Sequence, residues 1–194
     1  MTDAARPLRV VGVSGSLHAR SRTPALVRAT LDEVAARVDA QTELIEVAAL
    51  GPSFAGALRR DDVAPEVELA LQRIESADLL VAGSPVYRAS FTGLFKHLFD
   101  FVGQYELVGT PVLLAATGGG ERHALILEHQ LRPLFGFFQA LTLPMGVYAS
   151  DGDFEARELV SADVRRRVAQ AVGRSLPLIE QSARLRPSEY VATW

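Results

Sequence analysis

Runs of apolar residues recur along the chain at the length of a buried strand. The first run, residues 10–13, stops abruptly at Ser14 and Gly15. The third run, 78–83, is almost uninterrupted, which is typical of a parallel sheet covered by helices on both faces. We predict five strands on this basis, at residues 10–13, 42–47, 78–83, 111–116 and 144–149.

Between these runs, apolar residues recur at the three- and four-residue spacing of amphipathic helices. Val67, Leu71 and Ile74, for example, fall on one helical face. The pattern predicts helices at 24–38, 65–76, 94–102, 122–140 and 161–185, with a long polar connection over 52–64.

Strands that alternate with helices predict an α/β fold with right-handed crossovers. Five strands suit a parallel sheet in the flavodoxin-like order 2-1-3-4-5, with helices on both faces forming a three-layer sandwich. We expect one domain over residues 1–194, with a core at about 8–185 and a C-terminal tail at 186–194.

Three loops follow the carboxyl ends of the first, third and fourth predicted strands: residues 14–22, 84–90 and 117–121. These strand ends are neighbours in the predicted order, next to the point where the order reverses. Ligands bind there in open α/β sheets. The three loops are therefore expected to form one site.

The first loop is rich in hydroxyl groups and leads into a helix. Thr23 is a predicted N-cap with Pro24 at the first helical position, so backbone N–H groups and the positive end of the helix dipole would face the loop. The glycine spacing fits neither a Walker loop nor a dinucleotide fingerprint. Hydroxyls and guanidinium groups can instead bind a terminal monophosphate. A polar turn without a ligand is the alternative. The side chains concerned are Ser14, Ser16, Ser21, Thr23, Arg20 and Arg22.

The other two loops suit a flat ring. Pro85 fixes the backbone direction, and Tyr87 can stack against or border a ring. The glycines at 118–120 let the backbone approach a ligand closely. A core-capping Tyr87, a solvated Arg88 and a permissive glycine turn are the alternatives. Together the three loops indicate a mononucleotide cofactor with a ring system.

Composition removes several classes of function. A net charge of −3 over 194 residues gives no basic surface, so we expect no nucleic acid partner. The absence of cysteine excludes thiol catalysis, disulfides and thiolate metal sites, and no metal is predicted. No apolar run approaches the length of a membrane span, and the first residues lack the order of a signal peptide. We therefore expect a cytoplasmic protein with no membrane partner.

Three groups of residues together carry a family resemblance. They are Gly15-Ser16-Leu17 with Ser21-Arg22-Thr23; Ser84-Pro85-Val86-Tyr87-Arg88 with Gly93, Lys96 and Asp100; and Thr117-Gly118-Gly119 with His123. In this order the sequence resembles the NAD(P)H-dependent FMN reductases of the flavodoxin-like superfamily. The similarity is greatest to the reductase components of two-component alkanesulfonate and methanesulfonate monooxygenases, and it extends over about 8–176.

The resemblance implies roles for individual residues. It implies that the FMN phosphate is held by Ser16, Ser21, Arg22 and Thr23. It implies that one side of the isoalloxazine ring is lined by Pro85, Val86, Tyr87 and Arg88, and that its pyrimidine edge lies near Thr117, Gly118, Gly119 and Gly120. His123 matches a family position close to the flavin loop, with helix capping as the alternative. Lys96 and Asp100 are spaced as an ion pair on a helix.

The predicted helix at 122–140 is apolar around more than one face, which indicates that another subunit buries part of it. Pro133 is expected to kink it or to force a local rearrangement. In the resembling reductases this helix carries a π-bulge at a tetramer interface beside the flavin. The bulge residue there is often tyrosine, and His129 stands at the matching position. His129 is thus a candidate interface or flavin-gating residue, with an interface residue that has no catalytic task as the alternative.

The resemblance implies that hydride passes from NADH or NADPH to N5 of FMN and that reduced FMN goes to a partner monooxygenase. No catalytic side chain is predicted, because the two cofactors carry the chemistry. An FMN-containing quinone, azo or metal-ion reductase and a non-enzymatic FMN-binding electron carrier remain alternatives. The choice of nicotinamide is open, since Arg20, Arg88 and Arg122 are each candidates to meet a 2′-phosphate.

Overall fold

A parallel sheet with helices on both faces forms the centre of the protein. The computed structural model describes residues 6–18 and 20–184. The strands are β1 (Leu8–Ser14), β2 (Ala40–Glu46), β3 (Leu79–Pro85), β4 (Pro111–Gly118), β5 (Leu141–Thr142), β6 (Val147–Ser150), β7 (Phe154–Glu155) and β8 (Glu158–Leu159). The α-helices are α1 (Thr23–Ala35), α2 (Gly51–Gly56), α3 (Pro65–Glu75), α4 (Gly93–Phe101), α5 (Arg132–Phe137) and α6 (Ala162–Arg184). Leu185, the end of the last predicted helix, and the predicted tail at 186–194 lie outside the described residues.

The sheet has the predicted order 2-1-3-4-5, and all of its strand pairs are parallel. Two short strands fill the fifth position, because β5 and β6 both pair with β4. The prediction of one strand over 144–149 is therefore wrong in its bounds. Leu143 donates its N–H to Val112 O at 2.9 Å, and the pairing with β4 resumes at Val147.

The central strands β3 and β4 are buried on both faces, as their continuous apolar runs predicted, whereas the edge strand β2 is mostly exposed or half-buried. On one face, Phe95, Phe99 and Phe135 belong to a core that joins α3 and α4 to the segment before β5. On the other face, α1 and α6 pack against the sheet. The glycine in β1 permits this close approach, since a Cβ atom at Gly12 would lie 2.6 Å from Val27 Cγ1. Neither α6 nor any other helix in the described ranges is apolar over a length that could cross a bilayer.

The predicted polar connection over 52–64 is wrong in part, because it contains α2 and a 3₁₀ turn at Arg60–Asp62. Phe54 on α2 is fully buried, and its ring centroid lies 5.0 Å from that of His97. One aromatic residue thus anchors a helix too short to show a periodic pattern of its own.

The predicted continuous helix at 122–140 is also corrected. The segment consists of a 3₁₀ turn at Glu121–His123, a π-helical turn at Leu127–Leu131 and α5. Pro133 lies in the first turn of α5, where its missing N–H costs least. The local rearrangement expected from Pro133 is therefore present, and the π-helical turn carries His129.

Candidate functional site

The three loops singled out in the sequence meet around one cavity of about 260 Å³. The cavity lies where β1, β3 and β4 end, as the strand order predicted. Its lining comes from all three loops and from one further residue after β6. The lining residues are His18, Arg20, Ser21, Arg22, Pro85, Val86, Tyr87, Thr117, Gly118, Gly119 and Asp151.

Backbone hydrogen bonds hold the three loops together beneath the cavity. Gly15 N donates to Gly83 O at 2.7 Å, and Val86 N donates to Thr117 O at 2.8 Å. The Thr92 hydroxyl donates to Gly15 O at 2.6 Å, and the same hydroxyl accepts the N–H of Phe95 at the start of α4. These hydrogen bonds therefore connect the cavity wall directly to the ends of the strands.

The polar residues of the first loop differ in their exposure to the cavity. Ser21 and Arg22 line it, whereas Ser16 and Thr23 are buried and do not line it. The Ser16 hydroxyl closes a local turn, since it donates to His18 O at 3.0 Å and accepts His18 N–H at 3.2 Å. The Thr23 hydroxyl lies 2.7 Å from that of Thr117.

The predicted N-cap is displaced by one residue. Thr23 is the first helical residue of α1, and Arg22 occupies the N-cap position without a side-chain capping bond. The Ser21 hydroxyl accepts the Thr23 N–H at 3.2 Å. The helix therefore begins at the cavity wall, where its positive end favours an anion.

The second loop makes a tight turn. Tyr87 and Ser90 exchange backbone hydrogen bonds of 2.8 and 3.1 Å. The two residues between them, Arg88 and Ala89, have positive φ angles of 51° and 67°, as in a type I′ turn. The turn sets Tyr87 against the cavity, with its side chain partly exposed, whereas Arg88 is not among the lining residues.

The third loop is pinned by a residue that sequence reasoning missed. The Tyr148 hydroxyl donates to Gly120 O at 2.7 Å. A Cβ atom at Gly118 would lie 2.5 Å from the same hydroxyl oxygen, so only glycine fits there without a shift. Burial raises the pKa of the Tyr148 phenol, which keeps it protonated as a donor. Gly118 and Gly119 line the cavity, whereas Gly120 is not among the lining residues.

Asp151 is the second residue that sequence reasoning missed. It follows β6 directly, and its carboxylate accepts a 2.8 Å hydrogen bond from Arg22 Nη1. Its position after a strand that pairs with β4 is a signal that could have found it. The turn that carries it is fixed by Asp153, whose Oδ2 accepts both Ser150 N–H at 2.7 Å and Ser150 Oγ–H at 2.9 Å. Burial alone would raise the pKa of the Asp153 carboxyl, but these hydrogen bonds lower it below its ordinary value.

Four other candidate residues do not line the cavity. Lys96 and Asp100 form the predicted ion pair on α4. His123 ends the 3₁₀ turn after the third loop, and its N–H donates to Gly120 O at 3.2 Å. His129 lies in the π-helical turn, whose Gln130 accepts a hydrogen bond of 3.0 Å from Ser90 in the second loop.

The protein has a flavodoxin-like α/β fold. Its cavity, which includes the basic residues Arg20 and Arg22 in its lining, lies where the strand order of the sheet reverses. The model of the family "NADPH-dependent FMN reductase" matches residues 8–155. The chain is 49% identical over 173 residues to "NADH-dependent FMN reductase SfnF" of Pseudomonas fluorescens (strain Pf0-1), covering 89% of this chain and 92% of that protein. It is 48% identical over 172 residues to "FMN reductase (NADPH)" of Pseudomonas aeruginosa, covering 89% of this chain and 92% of that protein.

A solved structure, "NADH:FMN oxidoreductase (EMOB)" in its apo form, matches with a TM-score of 0.77 at 28% identity. The match covers 95% of this chain and 93% of that one. The chain therefore belongs to the NADPH-dependent FMN reductase family. The predictions of an FMN reductase and of a flavodoxin-like fold are confirmed.

Proposed function

We propose that this chain, as a single domain, binds FMN in the cavity as a substrate, reduces it at N5 with hydride from NADH or NADPH, and supplies reduced FMN to a flavin-dependent monooxygenase. The proposal rests on the hydrogen-bond donors that line the cavity. His18, Arg20, Ser21 and Arg22 line the wall where α1 begins, which is the chemistry that a phosphate monoester requires.

The phosphate end is assigned to the first loop. Ser21 and Arg22 would contact the phosphate oxygens from the cavity wall, since both line it. Ser16 and Thr23, which are buried, would act by holding the loop in shape rather than from the surface of the cavity. This divides the four residues that the family resemblance implied into two binding residues and two supporting residues.

The ring end is assigned to the other two loops. Pro85, Val86 and Tyr87 offer an apolar and aromatic wall, and Gly118 and Gly119 offer backbone close to it. Thr117, Gly120 and Arg88 would fix the shape of these loops. FMN and the nicotinamide supply the redox chemistry, and the protein supplies their positions together with amide dipoles near the reduced ring.

The assembly is proposed to be a homo-oligomer, a dimer or tetramer, formed through residues 122–140. Leu125 and Phe137 are 63% and 62% exposed in the single chain. Exposed apolar residues of this size, grouped in one segment, are typical of protein interfaces. The π-helical turn between them carries His129 and contacts the second loop through Gln130, so the proposed interface would adjoin the flavin site.

Anaerobic stopped-flow absorbance tests the activity. The purified protein is mixed with FMN and either NADH or NADPH, and the solution is then filtered to separate free from bound flavin. The proposal expects loss of the oxidised flavin band and reduced FMN in the filtrate. Reduced flavin retained by the protein would favour a quinone or azo reductase, and no reduction with either nucleotide would contradict the proposal.

Because the reaction uses NADH or NADPH, the proposal retains the cytoplasmic location expected from the sequence.

A further inference from the structure

In the proposed phosphate site, Arg22 is hydrogen-bonded to a carboxylate of the protein itself. Arg22 Nη1 donates to Asp151 Oδ1 at 2.8 Å, and both residues line the cavity. Among the described residues that line the cavity, Asp151 is the single carboxylate, and the basic side chains of His18, Arg20 and Arg22 line the same cavity.

Hydrogen bonds hold the backbone at both Arg22 and Asp151. Arg22 is the N-cap residue of α1, and its carbonyl accepts the N–H of Leu26 at 3.2 Å. Asp151 lies in the turn that the Ser150 and Asp153 hydrogen bonds close. The chain thus brings a guanidinium and a carboxylate into contact at one cavity, although 129 positions separate them in the sequence.

The ion pair is easily broken, since the Arg22 and Asp151 side chains are 43% and 54% exposed and such pairs contribute little stability. A phosphate group offers Arg22 a bidentate partner of higher charge. The same phosphate would be repelled by Asp151, because like charges a few ångströms apart in a cavity disfavour each other. The Asp151 carboxylate would therefore weaken the binding of an anion in two ways. It occupies the Arg22 guanidinium, and it repels the anion.

We propose that Asp151 is an internal competitor of the FMN phosphate for Arg22, which weakens flavin binding and accelerates flavin release. This inference rests on the proposed function and deepens it. An enzyme that hands reduced FMN to another protein must let it go in each cycle. A carboxylate at the phosphate end supplies that release without changing the contacts to the ring.

Replacing Asp151 by Asn removes the charge and keeps the shape. For D151N, fluorescence titration is expected to give an FMN dissociation constant about tenfold lower, because one charge repulsion and one competing ion pair are lost. Stopped-flow displacement is expected to show FMN leaving correspondingly more slowly. Riboflavin, which lacks the phosphate, is expected to bind D151N and the unaltered protein equally.

Two further variants make the test specific. Asp32→Asn is a matched control, since it removes the same charge from an exposed position further along α1 and should leave both affinities unchanged. Arg22→Ala should weaken FMN binding. When Asp151→Asn is added to Arg22→Ala, the FMN affinity should rise by less than it does in the unaltered protein, because only the charge repulsion remains to be removed.

The outcomes separate the two proposals. If Arg22→Ala leaves FMN affinity unchanged, the phosphate site itself is wrong, and the role of Asp151 is overturned with it. If Arg22→Ala weakens FMN binding but Asp151→Asn leaves it unchanged or weakens it, the phosphate site stands and competition is overturned. Asp151 would then hold Arg22 in place for the phosphate.

Discussion

The hydroxyl oxygens of Thr23 and Thr117 lie 2.7 Å apart, and both residues are buried. Thr23 begins α1 in the first loop, and Thr117 lies near the end of β4 in the third loop. This one hydrogen bond therefore joins the proposed phosphate end of the cavity to the proposed ring end.

Thr117→Val is expected to lower the free energy of unfolding by about 1–2 kcal/mol, because the Thr23 hydroxyl would lose a buried partner. It should also weaken FMN binding, since two loops of the cavity lose a connection. Urea unfolding and FMN titration measure the two effects. Thr117→Ser keeps the hydroxyl and is expected to retain most of both properties. An unchanged stability in Thr117→Val, or a larger loss in Thr117→Ser than in Thr117→Val, would contradict the role of the hydrogen bond.

The hydroxyl of Tyr148 fixes the glycine loop through Gly120 O. Tyr148→Phe is expected to weaken FMN binding severalfold and to shift the absorption spectrum of bound flavin, because the backbone at the proposed pyrimidine edge becomes less ordered. Flavin titration followed by difference spectroscopy measures both. Tyr105→Phe, which removes a phenol that is bonded to Gln104 and does not line the cavity, is the matched control. An unchanged spectrum in the Tyr148 variant would contradict the role.

Sequence reasoning recovered the parts of the fold that local patterns determine. Strands β1, β3 and β4 contain continuous apolar runs, whereas β2 mixes polar and apolar residues, and the strand order followed from the alternation of strands and helices. The short helix α2 was missed because the packing of Phe54 against His97, which is distant in the chain, stabilises it. The site was predicted where loops follow strands, but Asp151 was missed because its partner Arg22 is near only in the folded protein.

An ion cluster between Arg60 and two carboxylates of α3 is expected to make the stability of the protein sensitive to acid. Arg60 donates to both oxygens of Glu68 at 2.8 Å and to Glu75 at 2.5 and 3.0 Å. The hydrogen bonds from Arg60, followed by that from Gln72, lower the pKa of Glu68 to about 2. A pKa below the ordinary value of 4.5 means that this carboxylate stabilises the folded state fully above pH 4.5. That stability is lost as pH falls from 4.5 towards 2.

Glu68→Gln is therefore expected to lower the free energy of unfolding at pH 7, with a difference from the unaltered protein that shrinks as pH falls from 4.5 towards 2. Urea unfolding at a series of pH values measures it. Glu106→Gln removes an exposed carboxylate elsewhere and serves as the control. A difference that stays constant over this range would contradict the role of the Arg60 cluster.

The turn in the second loop is strained at a residue with a side chain. Ala89 has a φ of 67°, which glycine adopts at less cost. Ala89→Gly is expected to raise the free energy of unfolding by about 0.5–1 kcal/mol, since it relieves this strain. Ala36→Gly, at a φ of −71°, should destabilise instead. Thermal unfolding of both variants gives the comparison, and a loss of stability in Ala89→Gly would show that the turn is not strained there.

The proposed subunit interface makes a prediction that separates assembly from folding. Phe137→Glu places a charge on a side chain that is 62% exposed in the single chain, so the fold should survive while an apolar interface would not. We expect light scattering after size exclusion to show smaller species for this variant, with an unchanged circular dichroism spectrum. Leu58→Glu is the matched control, because Leu58 is 89% exposed but lies outside residues 122–140. If both variants keep the mass of the unaltered protein, this segment is not the interface. If Phe137→Glu alone dissociates and also binds FMN less tightly, the π-helical turn that carries His129 couples assembly to the flavin site.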